Sequence, residues 1–97
     1  MAEQLRIYTI EPGGLADWVT EWRTRIKPLR CKLGFEVLIA WTEEDKNRFC
    51  WILKYDGPES WEKLDAAFHQ SPERRSMRPD PARLIVRAEQ YFLDTVD

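Results

Sequence analysis

The sequence predicts an α+β fold of order βαββαβ, a four-stranded antiparallel sheet carrying both helices on one face. Three observations predict it. Gln4–Ile10 and Asn47–Tyr55 alternate side chains with a period of two. Leu15–Leu33 repeats apolar residues at steps of three and four. Each change of period falls on turn residues. The 97 residues are read as one domain, 1–97, short enough that a shared core would help burial.

Gln4 to Ile10 sets Leu5, Ile7 and Thr9 against Arg6, Tyr8 and Ile10, so either face of this strand can be buried. Pro12, Gly13 and Gly14 then end it. Leu15, Trp18, Val19, Trp22, Ile26, Leu29 and Leu33 form one apolar stripe, the mark of a helix. Asp17 and Glu21 come early in it and Arg30 and Lys32 late, as the macrodipole favours. Pro28 removes a backbone donor and predicts a bend or break. Gly34 suits a left-handed helix end. Phe35–Thr42 and Asn47–Tyr55 are strands joined by a polar hairpin loop over Glu43–Lys46. Asp56, Gly57 and Pro58 open a second helix, buried through Trp61, Leu64 and Phe68. Ser71-Pro72, with Ser71 as N-cap, and Asp80-Pro81 start further turns. The last strand lies within Leu84–Val96, from about Val86. This order is the ferredoxin-like, split βαβ arrangement.

Composition narrows the function classes. A net charge of −2 with interspersed signs gives no basic footprint for nucleic acid. No run approaches the roughly 20 apolar residues of a membrane span, and Met1–Ile10 lacks the pattern of a secretory signal. A cytoplasmic protein is expected. Cys31 and Cys50 show no CxxC spacing and His69 is the single histidine, so neither a metal nor a cofactor is expected, and the thiols read as reduced. No serine sits in a nucleophile-elbow word. Five Trp, four Phe and three Tyr are more aromatic bulk than one small core holds, which points to a shared core or a ligand pocket.

The third strand is apolar on both sides. Phe49, Trp51, Leu53 and Tyr55 fall on one, Cys50 and Ile52 on the other. Helices cover one face only, and an apolar face of this size is normally covered. A second copy, packed sheet on sheet about a two-fold axis, would close a barrel across a homodimer. The bulkier, partly polar set Arg6, Tyr8, Phe49, Trp51 and Tyr55, with Trp41, is assigned to the open side, lining a cavity for a small apolar or aromatic ligand. Leu5, Ile7, Cys50 and Ile52 are expected against the helices. A slip of one residue exchanges the two sets.

Within this frame Arg6 clamps a carboxylate and Tyr8 donates to a ligand, or the two form a buried pair satisfied by Glu89 on the neighbouring last strand. Trp41, Trp51 and Tyr55 are core and dimer residues, or a stacking wall for a flat compound. His69, near a helix C-terminus, is favoured there by the dipole alone. The basic run through Arg74, Arg75 and Arg78 reads as a solvated surface.

Three longer stretches, Leu5–Trp22, Leu33–Trp61 and Ser71–Arg75 with Asp80–Ile85, resemble the NIPSNAP group within the dimeric α/β barrel superfamily. The words that carry the likeness are Arg6-Ile7-Tyr8, Gly34-Phe35, Ala40-Trp41 and Tyr55-Asp56-Gly57-Pro58. The resemblance spans nearly the whole chain and implies a ferredoxin-like protomer and a dimer. The wider superfamily includes cofactor-independent monooxygenases, haem-degrading enzymes, isomerases and proteins with no assigned role, so it transfers architecture and no reaction. Three readings stay open. The first is an uncharacterised dimer with a small cavity. The second is a cofactor-independent monooxygenase of aromatic or quinol compounds using Tyr8, Trp51 and His69. The third is a haem-binding or haem-degrading protein with His69 on the iron. The strand-one asparagine of the haem-degrading relatives has no counterpart here.

Overall fold

The computed structural model describes residues 2–96. Strands β1 (Ala2–Ile10), β2 (Glu36–Glu43), β3 (Arg48–Tyr55) and β4 (Ile85–Phe92) form one sheet in the order β2-β3-β1-β4. Every neighbouring pair is antiparallel, which is the ferredoxin-like order. Helix α1 (Leu15–Glu21), a π-helical turn (Trp22–Ile26) and α2 (Lys27–Lys32) run end to end. Helices α3 (Trp61–Gln70) and α4 (Pro72–Arg75) follow β3. Among the described residues no helix is long and apolar enough to cross a membrane.

Local chemistry explains the boundaries. Pro28 is expected to bend or break the first helical segment, and regular α-helix does give way to a π turn just before it, resuming as α2. The N–H of Lys27 donates to the carbonyl of Trp22, five residues back. That wider turn sits directly before Pro28, where an ordinary turn would drive the ring against a carbonyl. Gly34, at φ +110°, ends the segment, and the Phe35 N–H closes onto the Arg30 carbonyl. Helix α3 starts at Trp61 and not at Pro58, because Ser60 Oγ caps it by accepting from the Lys63 N–H. Ser71 caps α4, and Asp80 caps a 3₁₀ turn over Pro81–Leu84. Cys31 is exposed and Cys50 is buried, both as free thiols.

The helices cover the face opposite to the one expected. Pairing sets Arg6 beside Trp51 and Tyr8 beside Phe49, and this set meets the helices. The Trp18 ring lies 5.6 Å from Tyr8 and 5.9 Å from Phe49; the Trp22 ring lies 4.9 Å from Phe49 and 5.4 Å from Trp51. Trp51 and Leu53 are 0 % exposed. Leu5, Ile7, Cys50 and Ile52 point to the other face, where Trp41 stands across from Cys50, Ile39 from Ile52 and Tyr91 from Leu5. The reason is bulk and charge together. Two helical indoles need large sheet partners to close-pack, and the buried Arg6 meets a carboxylate of the helical layer, Asp65 of α3. Ile39 and Tyr91, on the open side, are 53 % and 50 % exposed.

Candidate functional site

A chamber of about 190 Å³ lies between the sheet and the helices. Strand β1 contributes Arg6 and Tyr8, and β3 contributes Trp51. Trp18 and Arg30 come from the first helical segment, Phe68 and His69 from α3. Alternation along β1 aims Arg6 and Tyr8 the same way, and Trp18 and Arg30 share the inward stripe of their helices.

Two arginines of the chamber wall, Arg6 and Arg30, are held by a single carboxylate that stands behind the lining, Asp65 of α3. Asp65 Oδ1 accepts from Arg30 Nη1 at 2.6 Å and from Arg6 Nη2 at 3.1 Å. Its other oxygen lies 3.7 Å from His69 Nε2. Arg6 also donates from Nε to Gln4 Oε1 at 2.7 Å and from Nη1 to the Tyr8 hydroxyl at 3.4 Å. The Arg30 guanidinium stacks 3.7 Å from the centre of the Phe68 ring.

These contacts set the charge states. Burial opposes ionisation of Asp65, but the hydrogen bond and charge of Arg30, with Arg6 and His69, outweigh it and hold the carboxyl below its usual range. Burial pushes the His69 imidazole below its ordinary value. Asp65 offsets part of that, while Arg30, Arg6 and Arg74 add to it. His69 is therefore a neutral base at neutral pH. Burial also lowers Arg30, with repulsion from Arg6 adding to it and Asp65 opposing it. Trp18 Nε1, Trp51 Nε1 and Arg30 Nε are buried donors with no acceptor.

A family model described as NIPSNAP matches residues 3–97. The chain belongs to the NIPSNAP family. Solved structures agree in fold. An uncharacterized NIPSNAP domain protein from Burkholderia xenovorans superposes with a TM-score of 0.83 at 15% identity, covering 98% of this chain and 94% of that one. A NIPSNAP family protein from Agrobacterium tumefaciens gives 0.87 at 13%, covering 99% and 93%. A candidate antibiotic biosynthesis monooxygenase from Nitrosomonas europaea gives 0.70 at 12%, covering 100% of both chains. At these identities the likeness is one of fold. No curated protein matches the sequence.

In this NIPSNAP chain, four of the residues singled out from the sequence meet in the chamber: Arg6, Tyr8, Trp51 and His69. They do so on the helix side of the sheet. Three do not join them. Glu89 pairs with Ile7, so it occupies the open face and cannot satisfy Arg6 or Tyr8; it accepts instead from the Tyr91 hydroxyl at 2.8 Å. Trp41 also lies on the open face. Tyr55 folds over the following turn, where its hydroxyl accepts from the Glu59 N–H at 3.1 Å. Asp65 and Arg30 are the residues sequence reasoning missed. Each is a charge set inside an apolar stripe, four residues after Trp61 and four after Ile26, and that was the available signal.

A broader concavity of about 900 Å³ runs between the first helix and edge strand β2, past Leu38 and Ile39. It is a groove open to solvent, with no buried charged cluster at its base. Haem does not suit the chamber: four linked pyrroles exceed a space of single-ring size, and the only histidine is half-exposed and turned toward Asp65.

Proposed function

We propose that this protein binds a small, flat, apolar or aromatic compound in the chamber between its sheet and helices, and that two copies pair through the open sheet face. The observation that carries the first part is the chamber itself. An apolar cavity of about 150 Å³ accepts benzene, so about 190 Å³ suits a substituted single ring. Tyr8, Trp18, Trp51 and Phe68 line the space with aromatic rings, and the two indole N–H groups have no acceptor within the protein. Support for pairing comes from Leu5, Ile7, Ile39, Trp41 and Ile52 lying together on a face that no helix covers. Titration with phenol and toluene tests the ligand reading, because Trp18 and Trp51 line the space and their fluorescence should respond. No response, with no rise in melting temperature, would remove it.

One observation favours a second reading. A neutral imidazole, a phenol and an indole line one space, the groups that cofactor-independent oxygenation of a phenol or quinol would use. His69 would take the substrate proton, and the substrate itself would reduce oxygen. Oxygen uptake with a single-ring quinol, abolished in His69→Ala, is the expected result; uptake no faster than without protein sinks it.

A further inference from the structure

Charge inside the chamber does not balance. Arg6 and Arg30 are each 2 % exposed, yet both meet the same oxygen of Asp65. Among the described residues no other carboxylate pairs with either. Arg6 spends its remaining contacts on neutral groups, Gln4 and Tyr8. Arg30 Nε has no acceptor at all, although it is buried, and neither do the indole nitrogens of Trp18 and Trp51, which line the same space. With His69 neutral, one guanidinium charge is left without a counter-ion in a low-dielectric site, an arrangement that costs free energy until an anion arrives. The surroundings also select the anion. Phe68 and Trp51 present ring faces to the two guanidiniums, at 3.7 Å from Arg30 and 5.9 Å from Arg6, so aromatic rings flank both charges.

We propose that the chamber takes a single-ring aromatic carboxylate, its carboxylate on Arg30 and Arg6 and its ring among Trp18, Trp51 and Phe68. This rests on the chamber being a ligand site, as argued above, and adds the ligand's charge. Guanidinium donors fit a planar carboxylate geometrically, and one bound monoanion brings the buried charges to neutrality. A cation would meet the uncompensated guanidinium directly.

The test compares benzoate, benzyl alcohol and benzylamine on the full-length wild-type protein by calorimetry, since the three share a ring and differ in charge. Benzoate is expected to bind at least about tenfold more tightly than benzyl alcohol, with benzylamine undetected. Arg30→Gln, if circular dichroism shows it folded, should lose that preference; retention of the full preference would overturn the assignment to Arg30. The wild-type ratio decides the matter even if that variant fails to fold. Equal binding of benzoate and benzyl alcohol overturns the charge assignment and leaves the chamber as a neutral-ligand site, with the guanidinium compensated by the Phe68 and Phe35 faces. Binding of none of the three overturns both.

Discussion

Arg30 Nη1 and Asp65 Oδ1 stand 2.6 Å apart and join α2 to α3 across 35 residues of chain. Because Arg6 reaches the same oxygen, one atom ties β1 to both α2 and α3. Removing the carboxylate leaves two buried guanidiniums facing each other. Asp65→Asn should therefore lower the unfolding free energy by about 3 kcal/mol, the usual cost of stripping one partner from a buried pair. Urea denaturation measures it. A loss below about 1 kcal/mol, the scale of a surface pair, would mean that the aromatic faces carry the charges.

The same carboxyl predicts acid sensitivity. Its folded pKa is depressed, so the folded state binds its proton later than the unfolded chain does. The stabilisation is complete above the pKa of an unfolded Asp and is lost as pH falls through the lower folded value. Urea midpoints followed into that acid range should fall more steeply for wild type than for Asp65→Asn. Parallel curves would contradict the assignment.

Two neighbours on β3 separate folding from association. Ile52 points to the open face, between Leu5 and Ile39, while Trp51 is sealed under Trp22. If the open face pairs two copies, Ile52→Glu should keep native circular dichroism and reduce the particle to the mass of one chain by light scattering. Trp51→Glu should not fold, because it removes a fully buried indole and leaves a cavity under Trp22. A well-folded Trp51→Glu would reverse the face assignment again. An unchanged dimer in Ile52→Glu would place the contact elsewhere.

The order of elements was legible because period and punctuation agree along the chain: the Leu15–Leu33 stripe, the alternation in β1 and β3, and glycine at φ +80° and +110° where strand and helix end. The covered face was not legible, for a physical reason. On β1, Leu5 and Ile7 are as apolar as Tyr8 and Ile10, so hydropathy alone assigns neither set. What decides is Arg6, which is buried only if a carboxylate stands above it, and that carboxylate hides within the apolar stripe of α3. The candidate site was half legible for the same reason. Alternation on β1 brought Arg6 and Tyr8 together, but their partners Asp65 and Arg30 lie on other elements, and no local pattern joins them. Tyr55 misled because its alternation is that of a core residue, while its hydroxyl belongs to the turn that follows.

That turn supplies the last prediction. Tyr55 lies back over Gly57, and a Cβ added at Gly57 would fall on the Tyr55 ring and hydroxyl. The ring has little freedom to retreat, since Phe35 packs 6.0 Å from its centre and the Glu59 N–H holds the hydroxyl. Gly57→Ala should cost about 1–3 kcal/mol, the range of an overpacked site. If the cost arises from this clash and not from backbone freedom, it should largely disappear in a Tyr55→Ala background, giving a coupling above about 0.5 kcal/mol in a double-mutant cycle. Additive losses would instead place the demand for glycine in the backbone and release Tyr55 from its role in the turn.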